Sequence, residues 1–258
     1  MPRGVLVGRG SPDPLEVQGA RPAVLALHGF GGTPLEICLV VDVARELGLR
    51  AHAPLLPGHG THATDLAERG WDDWLGAAAA ALDELAADGP VIVAGLSMGS
   101  LLAAHLAATR PDDVLGLALL ANAAWLGWPF PTLALDIIRK LHVPDFSMPK
   151  AGADIADPEA RRTHLTYDAQ PVHAAVRVLE AGRRVRAELE RVRCPTLILH
   201  GARDRLCPPS NARRVASRLG TLDPVVVMLP RSRHIVTRDY DKEQAARELR
   251  TFFERVRD

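Results

Sequence analysis

The sequence predicts an α/β protein: a mostly parallel central sheet with helices on both faces, interrupted by one helical insertion. Three observations lead there. Short apolar runs alternate with amphipathic stretches at both ends of the chain, the pattern of strand-helix-strand units. Glycine-rich turns directly follow several of the runs. One of them, Gly95-Leu96-Ser97-Met98-Gly99, joins a buried run to a helical stretch, which is the context a strand-turn-helix elbow requires.

The elements follow in chain order. Residues 15–17 and 23–27 are short apolar runs around Gly19, Arg21 and Pro22, read as an opening pair of strands. After the tight turn His28-Gly29-Phe30-Gly31-Gly32, Thr33, Pro34 and Glu36 supply an N-cap, a first-turn proline and a capping-box acid, and Gly48 stops the helix. Residues 50–53 are a weak strand. An alanine-rich helix over 71–87 ends at Gly89, and 91–94 is a short buried strand. A helix over 97–109 and a strand over 114–120 complete this block. The rhythm resumes late, with strands at 196–199 and 225–229 and helices at 210–219 and from Asp241 to about Val256.

Between the blocks, residues 121–193 break the alternation. The segment carries Trp125, Trp128, Phe130, Leu133, Leu135, Ile137, Ile138 and Phe146, then an arginine-rich helical stretch over 172–191. Its apolar content points to an ordered cap over a core made of 1–120 and 194–258. Trp125, Trp128, Phe130, Leu133, Ile137 and Ile138 either line an apolar substrate pocket or pack the cap onto the core. Arg177, Arg183, Arg184 and Arg186 read as a solvated helix face.

Composition narrows the partners. In 258 residues, 31 Lys plus Arg balance 31 Asp plus Glu, so no global field favours nucleic acid or an anionic membrane surface. A small neutral molecule is the expected partner, bound by a monomer or homodimer. No run reaches the roughly 18 to 20 apolar residues of a spanning helix, and residues 1–19 contain no signal-peptide core. Cys38, Cys194 and Cys207 share no metal-ligand spacing. Free thiols in the cytoplasm, with no metal and no organic cofactor, are therefore expected.

The chemistry rests on three residues. A strand turning sharply into a helix strains the backbone of Ser97, and glycines at 95 and 99 let the turn close. At the helix N-terminus the Met98 amide can face a developing oxyanion, with the Phe30 amide of the earlier glycine turn as second donor. A serine hydroxyl needs a base, and the base needs an acid to orient it. Asp204 follows the 196–199 strand and His234 follows the 225–229 strand, in the chain order serine, acid, histidine. Of the other histidines, His28 is expected to brace the glycine turn, and His59 with His62 forms an HxxH too poor in ligands for a metal.

Several separated blocks together resemble a known family. Residues Leu27-His28-Gly29-Phe30-Gly31-Gly32-Thr33-Pro34, Leu56-Pro57-Gly58-His59-Gly60-Thr61, Asp72-Asp73-Trp74 and the elbow at Ser97 are similar to the bacterial carboxylesterase and monoacylglycerol lipase group of α/β hydrolases. His200-Gly201 with Asp204 and Pro208, and Ser232-Arg233-His234-Ile235-Val236, resemble that group's acid and histidine loops. The resemblance implies the α/β-hydrolase fold, a short helical cap and hydrolysis of small or medium-chain esters. It leaves open a thioester, lactone, amide or carbon-carbon bond cleaved by the same triad, and a small-molecule receptor on the same fold. Two positions depart from the pattern, Ser100 and Arg233, each where a glycine is usual. A positive charge at Arg233 is expected to lower the pKa of His234.

Overall fold

In the computed structural model, which describes residues 4–127, 146–150 and 152–258, the predicted alternation folds into one seven-stranded sheet. The elements are β1 (Leu6–Val7), β2 (Leu15–Val17), β3 (Ala20–Leu27), α1 (Cys38–Glu46), β4 (Leu49–Ala53), α2 (Ala63–Glu68), α3 (Trp71–Ala86), β5 (Val91–Leu96), α4 (Met98–Thr109) and β6 (Val114–Leu120). After them come β7 (Ser147–Pro149), α5 (Pro158–Thr163), β8 (Thr166–Tyr167), β9 (Ala169–Pro171), α6 (Val172–Glu188), β10 (Thr196–Gly201), α7 (Asn211–Ala216), β11 (Val225–Leu229) and α8 (Lys242–Arg257). The sheet order is β11-β10-β6-β5-β3-β4-β2. Every pairing is parallel except β2 with β4.

Burial of both faces explains why the central strands read as continuous apolar runs rather than alternating ones. On β3, Leu25 and Leu27 join a core cluster with Trp74, Leu101 and Leu102, while Val24 and Ala26 join the opposite cluster with Val40, Leu249 and Phe253. Helix α6 packs on the first side, placing Val178, Ala181 and Val185 in the same cluster as α4. This helix, the last part of the 121–193 segment, is thus continuous with the core it adjoins. The parallel order also brings the C-terminal ends of β3, β5, β10 and β11 to one edge, where ligands gather in such sheets.

The structure corrects one local reading. Thr33, Pro34 and Glu36 do not form a capping box: residues Pro34–Glu36 make a 3-10 turn, Thr33 gives no side-chain cap, and α1 starts at Cys38. Glu36 is 3% exposed and turned away from the helix, toward the glycine-rich turn. The helix expected over 210–219 is shorter, at Asn211–Ala216. Helices α2 and α5 and the two-stranded pairs β1-β8 and β7-β9 are additional. No described helix is long and apolar enough to cross a membrane.

Candidate active site

Ser97 sits at the junction of β5 and α4 with φ 56° and ψ −116°, a left-handed conformation that costs a residue with a side chain of order 1–3 kcal/mol. The flanking glycines make this geometry possible. A Cβ at Gly95 would lie 2.1 Å from the Gly99 carbonyl oxygen, and one at Gly99 would lie 2.1 Å from that of Leu27. The strained turn lifts Ser97 out of the core: among residues 91–100, it alone is not buried. Ser100 keeps the turn intact despite its departure from glycine. Its hydroxyl donates to the Ser97 carbonyl at 2.5 Å.

Beside Ser97 stands the turn after β3. A Cβ on Gly29 would be 3.3 Å from the Ser97 Cβ, so the two backbones approach as closely as side chains allow. The Gly32 amide donates to the Gly29 carbonyl, closing a turn with Phe30 and Gly31 at its centre. Gly31 takes φ 71° there. His28 braces this turn as expected: its Nε2 accepts from the Leu56 amide at 3.0 Å, which leaves Nδ1 to donate to the Gly29 carbonyl at 2.9 Å. Burial lowers its pKa and keeps it neutral. Behind it, His59, Phe30 and Trp74 pack edge-on, with ring centroids 4.8 Å apart for His28 and His59 and 5.8 Å for Phe30 and Trp74. Burial pushes His59 down to about 3. His62 instead caps α2 by accepting from the Thr64 amide, so the HxxH histidines serve separate structural ends.

Glu36 completes the support. Its carboxylate accepts from the Gly29 amide at 3.2 Å and from His164 Nε2 at 3.1 Å. Burial alone would raise its pKa, but the hydrogen bond and charge of His164, with the charge of Lys150, outweigh it and hold the group at about 2. Lys150, itself pushed down by burial, donates to Thr166 Oγ1 at 2.7 Å, and that hydroxyl donates to the Gly31 carbonyl at 3.2 Å. The glycine turn is therefore held on one side by Glu36 and on the other by Thr166, 135 residues from Gly31 in sequence.

The acid and the histidine meet at the ends of β10 and β11. His234 Nδ1 donates to Asp204 Oδ2 at 2.8 Å, which fixes the tautomer and leaves Nε2 as the basic nitrogen. Asp204 Oδ1 accepts from the Leu206 and Cys207 amides, both at 2.8 Å. His200 adds a fourth contact, its Nε2 lying 3.2 Å from both Asp204 Oδ2 and the Cys207 carbonyl. Burial pushes the Asp204 pKa up, but His234 and His200 outweigh it, and the carboxyl stays well below its ordinary range. For His234, burial pushes down while the Asp204 carboxylate pushes up more strongly, so its pKa lies well above 6.5.

That result reverses the expectation for Arg233. Its guanidinium turns to Asp154, 3.9 Å away, and to the Ile155 carbonyl, and the carboxylate of Asp204 decides the charge balance at His234. The Arg233 backbone matters more: its amide donates to Asp239 at 2.8 Å, and Asp239 also accepts from the Ala156 and Asp157 amides. With the Asp154 carbonyl accepting from the His234 amide, these bonds hold the histidine loop.

Ser97, His234 and Phe30 line a cavity of about 440 Å³ whose wall also includes Leu126, Met148, Val172, Val178 and Leu179. Trp125 does not line it; its indole lies under arginines of α6 and the α7 region. Trp128, Phe130, Leu133, Ile137 and Ile138 lie outside the described residues. Of the arginines read as a solvated face, Arg177 donates to the Ala67 and Arg69 carbonyls and Arg184 pairs with Glu188. Asp204, Cys207 and His234 are close enough to share a metal ion, but Asp204 already spends both oxygens on four hydrogen-bonding partners.

The family described as "Serine aminopeptidase, S33" matches residues 18–241, a stretch that includes Ser97, Asp204 and His234. The chain belongs to this S33 family of α/β hydrolases. Among relatives of the S33 chain, the thermostable monoacylglycerol lipase of Bacillus sp. (strain H-257) is 28% identical over 242 residues, covering 93% of this chain and 94% of that protein. A pimeloyl-[acyl-carrier protein] methyl ester esterase of Chromobacterium violaceum is 32% identical over 243 residues, 85% of this chain and 90% of the relative. A solved structure of a metagenome-derived lipolytic enzyme superposes with TM-score 0.86 at 29% identity, covering 95% of this chain and 98% of that one. This S33 hydrolase is an enzyme of the lipase and esterase group.

Proposed function

We propose that the protein hydrolyses carboxylic esters of short to medium acyl chains through a Ser97-His234-Asp204 triad and an acyl-enzyme intermediate. The observation that carries this reading is the shared cavity. Ser97, in its strained elbow, and His234, bonded to a carboxylate with four hydrogen-bonding partners, both face the same largely apolar space. His234 takes the Ser97 proton as the serine oxygen attacks the ester carbonyl. The Phe30 and Met98 amides hold the oxyanion, the latter being a helix N-terminal amide with no intrahelical partner. Asp204 stabilises the imidazolium, which then protonates the leaving alcohol. Water activated by His234 releases the acid, and the cycle needs no metal or organic cofactor.

The family's description names a peptidase, and the same triad can cleave an amide. Esters are favoured because the relatives reported above are named for lipolytic and ester-cleaving activities. A cavity of about 440 Å³ sits in the lower part of the ~300–1,000 Å³ range of small-molecule sites, which supports short to medium chains. We assign residues 121–193 as the cap, with Leu126, Met148, Val172, Val178 and Leu179 as its contribution to the acyl wall. Free Cys38, Cys194 and Cys207 suit a reducing cytoplasm.

A p-nitrophenyl ester series from acetyl to palmitoyl, run with the wild type and Ser97→Ala, tests the proposal. Turnover of the shorter members that vanishes in Ser97→Ala supports it. Failure on every ester, with turnover of a peptide, thioester or lactone, would transfer the triad to that bond.

A further inference from the structure

Away from Ser97 and His234, arginines gather on Trp125. Three guanidinium carbons surround its ring centroid, those of Arg214 at 3.9 Å, Arg218 at 5.0 Å and Arg186 at 5.3 Å. They reach it from separate parts of the chain, Arg186 from α6 and Arg214 and Arg218 from α7 and the turn after it. Each cation gains from the indole face, but the three repel one another. Burial lowers the pKa of Arg186 first, and the charges of Arg183, Arg218 and Arg214 lower it further.

Counter-charge distinguishes this cluster from the arginines held in ion pairs. Arg21, Arg50, Arg110, Arg162, Arg231 and Arg250 each form an ion pair with a carboxylate. Among the described residues, no carboxylate pairs with Arg186, Arg214 or Arg218. In a chain of zero net charge, three positive charges are gathered on one ring with no acid paired to them among the described residues. The framework is nonetheless fixed: Asn211 Nδ2 donates to the Asn122 and Trp125 carbonyls, and Arg186 Nη1 donates to that of Ala124. The site is also adjacent to catalysis, because Leu126, the next residue, lines the cavity.

We propose that Arg186, Arg214 and Arg218, arrayed on Trp125, form a binding site for a phosphate group at the edge of the active-site cavity. Guanidinium forks match phosphate oxygens in pairs, and Arg keeps its charge at every working pH. A phosphate monoester carries about −1.5 to −2 charges, closer to the three cations than the single charge of a carboxylate. The indole holds the forks in place before the ligand arrives, lowering the ordering cost.

Inorganic pyrophosphate is the first probe, titrated at low ionic strength by calorimetry and tryptophan fluorescence into the wild type and into an Arg214→Gln/Arg218→Gln variant. Both substituted side chains are exposed, and circular dichroism checks that the variant is folded. The expected result is saturable binding that weakens at least about ten-fold in the variant and fades with added salt. Vesicles of phosphatidylcholine with and without phosphatidic acid identify the source of the phosphate. Retention by phosphatidic acid that is lost in the variant assigns a lipid headgroup, and a response to pyrophosphate alone assigns a soluble phosphate compound. Absence of both responses, or equal binding by wild type and variant, would overturn the site.

Discussion

Glu36→Gln should separate support of the glycine turn from the chemistry at Ser97, because Glu36 is buried, touches the turn directly and takes no part in proton transfer. Its carboxylate accepts from two donors, the Gly29 amide and His164 Nε2. A glutamine of the same shape has one acceptor oxygen and an NH2 group, so one buried donor loses its partner, at a cost of about 1–3 kcal/mol. The depression of the Glu36 pKa from 4.5 to about 2 gives an independent figure of roughly 3 kcal/mol. The two agree within their precision. Because the folded-state pKa lies below the unfolded one, this stabilisation is complete above 4.5 and is lost as pH falls toward 2. Urea unfolding near neutral pH should therefore find the variant weaker by about 3 kcal/mol, equivalent to roughly 6–12 °C in Tm for a chain of this size. The gap should narrow as the titration is repeated below 4.5. Loosening of the turn should also lower kcat by about ten-fold or more, since removing one oxyanion donor outright costs about 10²–10³. Equal stability of the two proteins near neutral pH, or a gap that widens on acidification, would refute the role given to Glu36.

Other expectations concern the triad and its cavity. The activity of the wild type should rise with pH with a midpoint above 6.5, because Asp204 raises His234 and only the neutral imidazole accepts the serine proton. Asp204→Asn should move that midpoint below 6.5 and cut kcat by about 10³–10⁴; a pH profile unchanged by the substitution would contradict the pairing. Gly99→Ala should abolish activity and lower Tm, since its Cβ would meet the Leu27 carbonyl oxygen at 2.1 Å, and normal turnover would show that the elbow is not required. Leu179→Phe should shift the ester preference toward shorter acyl chains through a higher KM for longer ones, and an unchanged preference would remove Leu179 from the acyl wall.

Two strands were legible to the residue. β6, inside the sheet, and β11, its partly buried edge strand, begin and end where expected, because aliphatic runs bounded by turn residues allow little else. The grouping of Ser97, Asp204 and His234 was legible because each follows a recognisable strand, and the parallel order places strand ends together. Glu36 was misread because the same local spelling serves a capping box or a remote partnership, and His164 stands 128 residues away. Its signal lay in the histidine and lysine of the intervening segment, which no local pattern ties to the turn. His200 was visible beside Asp204, but its approach to the carboxylate depends on the β10 turn rather than on spacing. Trp125 was a candidate for the pocket or for cap packing because it lies in the apolar 121–193 segment, yet arginines from two distant parts of the chain claim its ring. Two-residue and three-residue strands such as β1, β8 and β9 are too short to show a period at all.

The most direct test of the central claim is peptide mapping by mass spectrometry after rapid acid quench of the protein with a p-nitrophenyl ester. The wild type should carry the acyl group on the peptide bearing Ser97, at that residue, and Ser97→Ala should form no acyl-enzyme. Turnover of the ester with no acyl group on Ser97, or with the group on another residue, would contradict it.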